Sequence, residues 1–306
     1  MRMVIAGAGA VGGYFGARWQ EAGHDVTFLV RPRRKAQLEQ RGLRVQSPLG
    51  DAHVVPKLAL GADEVGACDV VLLAVKNYHL PDILPTIATL AQRGAYVLPL
   101  LNGMEHLDVL ADACGADRVL GGLVHIVSTL DADGQVLHTN RVHHITFGPL
   151  SEEQKPFCEQ FLKEAGSANL QLILSDDVRV DMWKKYAFIT AFSGVTTASR
   201  CTIGEILASP PTAAVFTAAL EEMAQLAKAH GCPLPETFVR QQEQVVRAMQ
   251  PDSTSSMHQD FRKRLPLEVD SLQGAAVRLA RQAGIRVPTV EALYGVLLPH
   301  AEGARN

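Results

Sequence analysis

Residues 2–23 read RMVIAGAGAVGGYFGARWQEAG, with glycines at Gly7, Gly9 and Gly12. Met3 to Ala6 is a short apolar run with strand character, and Gly12 to Ala22 has helical character and ends at Gly23. Between strand and helix the spacing Gly7-x-Gly9-x-x-Gly12 has a physical meaning. The first glycine allows a tight turn, the second lets the backbone approach a pyrophosphate, and the third lets helix and strand pack closely. The N–H groups around Ala10 and Val11 then open a helix whose positive dipole end faces the phosphates. The same apolar, small-residue stretch after Arg2 has some signal-peptide character. It runs on without a break into Arg18, Gln20 and Glu21, which favours the dinucleotide-binding reading.

Working outward, strand and helix signals alternate through the first half. Asp25 to Val30, Asp69 to Val75, Tyr96 to Leu100 and Val119 to Ser128 read as strands, with helical patterns near Pro81 to Gln92 and Met104 to Ala113. This alternation predicts a mostly parallel sheet with helices on both faces. Val136 to His138 and His144 to Phe147 read as antiparallel strands closing its edge. After Leu170 to Leu174 strand signals stop, and amphipathic helical patterns follow at Val178 to about Thr197, Thr212 to His230, Pro235 to Met249 and Leu267 to Ala283. The expected organisation is α/β: a dinucleotide-binding domain over 1–175 and an all-helical domain over 176–306.

The end of the second strand bears on which dinucleotide is bound. An NAD site carries an acid there to meet the ribose 2′-hydroxyl. Here Arg31 stands nineteen residues after Gly12, followed by Pro32, Arg33 and Arg34. Guanidinium groups can grip a 2′-phosphate bidentately, so the expected cofactor is NADPH.

Composition narrows the function classes. In 306 residues, 29 basic groups stand against 32 acidic ones, which gives no bias toward nucleic acid or an anionic membrane. The apolar run Val70–Val75 is far short of a bilayer span. Five cysteines at long spacings, with no C-x-x-C, argue against a disulfide framework or a zinc ribbon and fit a reducing cytoplasm. His138, His143 and His144 cluster without a carboxylate-bearing ligand spacing, so they read as sheet-edge residues and no metal is expected.

Further signals then fall in order: Ala74-Val75-Lys76 after one strand, Leu101-Asn102-Gly103-Met104 after the next, Trp183-Lys184-Lys185 opening a helix, Ser255-Ser256-Met257-His258-Gln259-Asp260, and Glu268. The ordered set resembles the ketopantoate reductase (2-dehydropantoate 2-reductase) family essentially end to end. The resemblance implies a Rossmann domain joined to an all-helical domain, and reduction of a 2-oxo acid with NADPH. It implies Lys185 as the catalytic lysine and Glu268 as its acidic partner. Asn102 would contact nicotinamide ribose and substrate, Ser256 the substrate, and Arg31 and Lys76 the cofactor. A lysine beside a nicotinamide can also be argued from its own chemistry, as proton donor to the carbonyl oxygen and attractor of a carboxylate. Reduction of ketopantoate would place the chain in pantothenate biosynthesis, as a cytoplasmic protein with a small-molecule partner; a homodimer is compatible with the resemblance.

The chain also departs from the pattern. Family asparagines four and eight residues after the lysine correspond to Ile189 and Ser193, and two more correspond to Ile203 and Ser253. Helical spacing keeps Lys185, Ile189 and Ser193 on one face, so the change falls on the substrate wall and makes it more apolar. Three readings follow: a ketopantoate reductase, a related reductase for a more apolar 2-oxo acid, or an NADPH-binding sensor without turnover.

Overall fold

Residues 1–303 are described by this computed structural model, and they divide into two compact units, Met1–Leu101 with His106–Val178, and Asn102–Glu105 with the chain from Arg179 onward. The first unit holds ten strands: β1 (Arg2–Ala6), β2 (Asp25–Leu29), β3 (Leu43–Gln46), β4 (Ala52–Val54), β5 (Lys57–Ala59), β6 (Val70–Leu73), β7 (Tyr96–Pro99), β8 (Gly121–Leu130), β9 (Val136–Gly148) and β10 (Gln171–Leu174). Five form an all-parallel sheet in the order β5-β2-β1-β6-β7. β6 reads Val-Val-Leu-Leu and is buried along its whole length, as a strand covered on both faces requires. Helices α1 (Ala10–Glu21), α2 (Pro32–Arg41), α3 (Leu80–Gln92), α4 (His106–Cys114) and α5 (Lys155–Ala165) complete the unit.

The edge hairpin expected at Val136–His138 and His144–Phe147 is corrected. Both segments belong to one long strand, β9, in a second sheet ordered β10-β9-β3-β4 with β8 paired antiparallel to β9. The polar stretch Thr139-Asn140-Arg141 looks like a turn in the sequence, yet a strand with one open face carries such residues readily. β3, β4 and β5 were not among the expected strands. Each has three or four residues, too few to show a two-residue period against the background.

The second unit is helical: α6 (Val178–Ser199, from Arg179 on), α7 (Ile203–Ala208), α8 (Pro210–Ala229), α9 (Phe238–Ala248), α10 (Ser256–Arg262), α11 (Ala275–Gln282) and α12 (Pro288–Leu297). Its core gathers Phe216, Leu220, Met223, Leu226, Leu272, Val290 and Leu297, the inward positions of three helical stretches. The helix expected over Leu267–Ala283 is not continuous: a π-helical turn, Asp270–Gly274, precedes α11. Among the described residues no helix is long and apolar enough to cross a membrane.

Candidate active site

The glycine loop leaves the carboxyl end of β1, between the ends of β2 and β6. Chain connections run from β1 to one side and return to the other, so this is the switch point where open parallel sheets leave a crevice for ligands. Gly7 has φ +101°, a left-handed conformation, and any side chain there would press on Val75 and the Ala74 carbonyl. A Cβ on Gly12 would collide with the Gly7 carbonyl oxygen. At Gly9 a Cβ would meet nothing within 4 Å. Two of the glycines thus serve the protein's own packing, and the third faces open space. Gly9 is the N-cap of α1 with no side-chain cap, so the N–H groups of the first helical turn, Ala10 and Val11 among them, are left for a ligand. These features fit a dinucleotide pyrophosphate. Lys76 follows the end of β6, half-buried, one residue past the Val75 side chain that packs on Gly7.

The three arginines after β2 have separated roles. Arg34 is partly buried, and its Nε donates to the Ala8 carbonyl at 3.0 Å and its Nη1 to the Gly134 carbonyl at 2.9 Å. It therefore braces the glycine loop, a role the sequence did not show. Arg33 is exposed. Arg31, also exposed, donates from Nη2 to Asp82 at 2.9 Å and lies 3.0 Å from His79 Nδ1. A surface pair of this kind contributes about 0–1 kcal/mol, so a phosphate can displace it readily.

In the second unit α6 carries Lys185 and Glu268 stands just before the π-helical turn. Three buried hydrogen bonds fix the helix against that turn. The Tyr186 hydroxyl donates to the Leu272 carbonyl at 2.7 Å, and Gln273 Nε2 donates to the Thr190 carbonyl at 2.8 Å and to Ser193 Oγ at 3.1 Å. Glu268 is 6% exposed. Burial pulls the Lys185 ammonium down to about 8, against the opposing attraction of the Glu268 carboxylate. Lys184, by contrast, pairs with Asp181 at 3.1 Å on the helix surface.

Asn102 clusters with this unit as well. Gly103 has φ +97°, and a side chain there would strike the Ser271 carbonyl, so the Asn102-Gly103 turn lies directly against the π-helical turn. Glu105 ties the same segment down: Arg278 donates to it through Nε at 2.9 Å and Nη2 at 2.7 Å, and to Asp270 at 3.0 Å. Ile189 is half-buried, one helical turn beyond Lys185. Ser193 is buried with its hydroxyl engaged by Gln273, and Ser256 opens α10 with its side chain exposed. Gln273, Tyr186 and Arg278 escaped the sequence reading. A buried glutamine inside an apolar helical pattern was the one available signal.

The histidines of β9 serve the second sheet. Tyr14 Oη lies 2.8 Å from His143 Nδ1, and Ser47 Oγ lies 2.9 Å from His138 Nδ1. Among the described residues no group of three His, Cys, Asp or Glu is placed to hold a metal ion.

Both halves of the chain match known proteins. Residues 3–152 match the family model "Ketopantoate reductase PanE/ApbA" and residues 177–301 its C-terminal model. An uncharacterized oxidoreductase, YkpB, of Bacillus subtilis (strain 168) is 32% identical over 97% of this chain and 98% of its own. The crystal structure of 2-dehydropantoate 2-reductase from Geobacter metallireducens GS-15 superposes with a TM-score of 0.90 at 27% identity, covering 98% of this chain and 99% of that one. A D-mandelate dehydrogenase, solved with NADH and anilino(oxo)acetate, shares the fold with a TM-score of 0.89 at 21% identity, covering 98% of each chain. With both halves matched in order and a nicotinamide-dinucleotide crevice preceding the helical unit, this chain is an oxidoreductase of the ketopantoate reductase PanE/ApbA family.

Proposed function

We propose that the protein reduces a 2-oxo acid with NADPH, and that 2-dehydropantoate, giving pantoate in pantothenate biosynthesis, is the first substrate to test. The observation carrying this reading is the half-buried Lys185, whose ammonium burial pulls down to about 8 beside the buried Glu268. An amine poised near neutrality can give up a proton within the reaction and recover it from solvent. NADPH, when bound, supplies hydride to the keto carbon. Lys185 donates a proton to the carbonyl oxygen as charge develops there, and its positive charge attracts the substrate carboxylate. Glu268 keeps the ammonium protonated and oriented. Asn102, held by Glu105 and Gly103, offers an amide to the substrate or the ribose, and Ser256 offers an exposed hydroxyl. Arg31 exchanges Asp82 for the 2′-phosphate, and Lys76 adds a second cation to the cofactor.

A second reading is favoured by Ile189 and Ser193. An apolar side chain one turn from Lys185, and a serine whose hydroxyl is already engaged, leave this face of α6 poor in groups for a hydroxylated substrate. A more apolar 2-oxo acid is then the better match, a chemistry of the kind named for the D-mandelate dehydrogenase. The test is NADPH oxidation, followed by absorbance, over a panel of 2-oxo acids that includes ketopantoate. Turnover of one or more of them, reduced about 10²–10⁴-fold by Lys185→Ala and hardly by Lys184→Ala, supports the reading. Absence of turnover with every acid, despite NADPH binding, would leave a sensor and refute it.

A further inference from the structure

A cavity lies wholly within the helical unit. It has a volume of about 720 Å³ and is lined by Arg200, Arg262, Arg264, His258, His300 and Glu205, with Phe261 among its apolar walls. None of the residues assigned above to reduction lines it. Arg200 follows Lys185 by fifteen residues along and just past α6, which at 1.5 Å per residue places it about 22 Å away along the axis.

Three features set this cavity apart. The first is charge. Three guanidiniums face one carboxylate, and Glu205 is already committed to the start of α7, accepting from the Thr202 backbone N–H at 2.7 Å and its hydroxyl at 3.0 Å. Among the described residues Arg200, Arg262 and Arg264 are exposed and form no salt bridge, so no protein carboxylate neutralises them.

The second is backbone conformation. Among the described residues the two non-glycine residues with positive φ are Arg200 and Arg264, each at 58°, and both line this cavity. Arg264 closes α10 in a Schellman arrangement, its N–H donating to the Phe261 carbonyl and the Leu265 N–H to the Asp260 carbonyl. Glycine is the usual residue at that position because a Cβ is strained there. Both arginines thus stand where a side chain costs backbone energy, as residues at functional sites do.

The third is order. The Arg200 guanidinium lies over the Phe261 ring at 5.5 Å, and the His300 ring meets Phe261 edge-on at 5.3 Å. His258 is 3% exposed and bonded through Nδ1 to the Thr254 hydroxyl. The cationic wall is therefore partly immobilised before any ligand arrives.

We infer that this cavity binds a small molecule carrying a diphosphate or two adjacent phosphates, at a site separate from the one that performs reduction. Two adjacent anionic groups match three unpaired guanidiniums, and arginine recognises such oxygens bidentately. The volume admits an organic body beside them, against Phe261 and Leu265. This goes beyond the reductase reading and does not depend on it.

The test is calorimetric titration of the whole protein with inorganic pyrophosphate, in the presence of saturating NADP⁺ so that the glycine loop is occupied. One saturable site per chain is expected. Arg262→Glu should weaken it by about tenfold to a hundredfold, the scale of one lost charged hydrogen bond. Arg264→Gly should weaken it too, while raising the Tm of the ligand-free protein by removing the strained Cβ. Steady-state turnover without pyrophosphate should be unchanged in both variants, which separates failure here from failure of the reductase reading. No saturable binding, binding indifferent to both substitutions, or a Tm gain in Arg264→Gly without loss of pyrophosphate would overturn the assignment. A shift of oligomeric state on Arg262→Glu, with pyrophosphate affinity intact, would overturn it as well and identify the arginines as a contact between copies.

Discussion

Glu268→Gln is the substitution that bears most directly on the lysine chemistry. In the folded protein burial lowers the Lys185 ammonium from its ordinary 10.5 to about 8, and the Glu268 carboxylate works in the opposite direction. If protonated Lys185 is the proton donor, kcat/KM is flat at low pH and falls as pH rises through about 8. Removing the Glu268 charge leaves burial unopposed. An opposite charge at close range typically moves a pKa by about 1–3 units, so the falling limb of Glu268→Gln should lie about 1–3 pH units lower. At neutral pH the variant then loses activity simply because its lysine is neutral, and acidification should restore part of it. Stability gives an independent readout with the sign fixed by linkage. The folded state binds fewer protons than the unfolded one between about 8 and 10.5, so stability is lowest below about 8 and rises with pH across that window. The slope is at most about 1.4 kcal/mol per pH unit, and it should vanish in Lys185→Met. The assays are pH–rate profiles of both proteins and urea melts from pH 7 to 10. A limb that stays in place or moves to higher pH in Glu268→Gln would refute the coupling. A wild-type profile with no limb near 8 would refute the role of Lys185.

Three further outcomes are expected. Arg31→Ala should narrow the preference for NADPH over NADH by about tenfold to a hundredfold, measured by cofactor titration, and equal affinity for both cofactors in the unaltered protein would remove the basis for assigning Arg31 to the 2′-phosphate. Gly9→Ala should fold normally, since its methyl meets no atom within 4 Å, yet bind NADPH at least about tenfold more weakly if the pyrophosphate occupies that space as proposed, whereas Gly12→Ala should lose about 1–3 kcal/mol of stability in urea melts through its clash with the Gly7 carbonyl. Ile189→Asn should shift kcat/KM toward ketopantoate over its 4-deoxy analogue by about 0.5–1.5 kcal/mol, and an unchanged ratio would show that this position does not meet the hydroxyl.

The parallel sheet was legible because its strands are apolar runs bounded by glycine and helical periods; Val70–Leu73, buried on both faces, is the plainest case. The second sheet was hidden for the opposite reason. β9 is half-buried or exposed throughout residues 139–144, between buried ends at Val136 and residues 145–148, and its Thr139-Asn140-Arg141 stretch mimics a loop. Its partner β3 contributes only Leu43 and Val45 to the core. Such pairing is fixed by contacts with distant chain, and no local window contains them.

At the site the legible part was the part with a chemical signature. The glycine spacing states its geometry, and Lys185 and Glu268 are recognisable in company. What positions them is carried by ordinary residues in an extraordinary backbone. The π-helical turn Asp270–Gly274 interrupts a pattern that, by its apolar spacing, predicts an unbroken helix. The inserted turn faces the Leu272 carbonyl to the Tyr186 hydroxyl and sets the Gln273 amide against α6 at Thr190 and Ser193. These bonds clamp α6 to the stretch that follows Glu268, so the acid and the lysine are fixed by one short segment. The same clamp bears on substrate choice. A hydroxyl held by Gln273 is less available to a ligand, and the family pattern has an asparagine where Ser193 stands. Gln273 thus directs its amide to α6 itself, and Ile189 and Ser193 give that helix face less polar capacity than the family asparagines would. If Ile189 and Ser193 line the proposed substrate pocket, that pocket favours carbon over hydroxyl in its ligand, because an unmet substrate hydroxyl in a buried site costs about 1–3 kcal/mol.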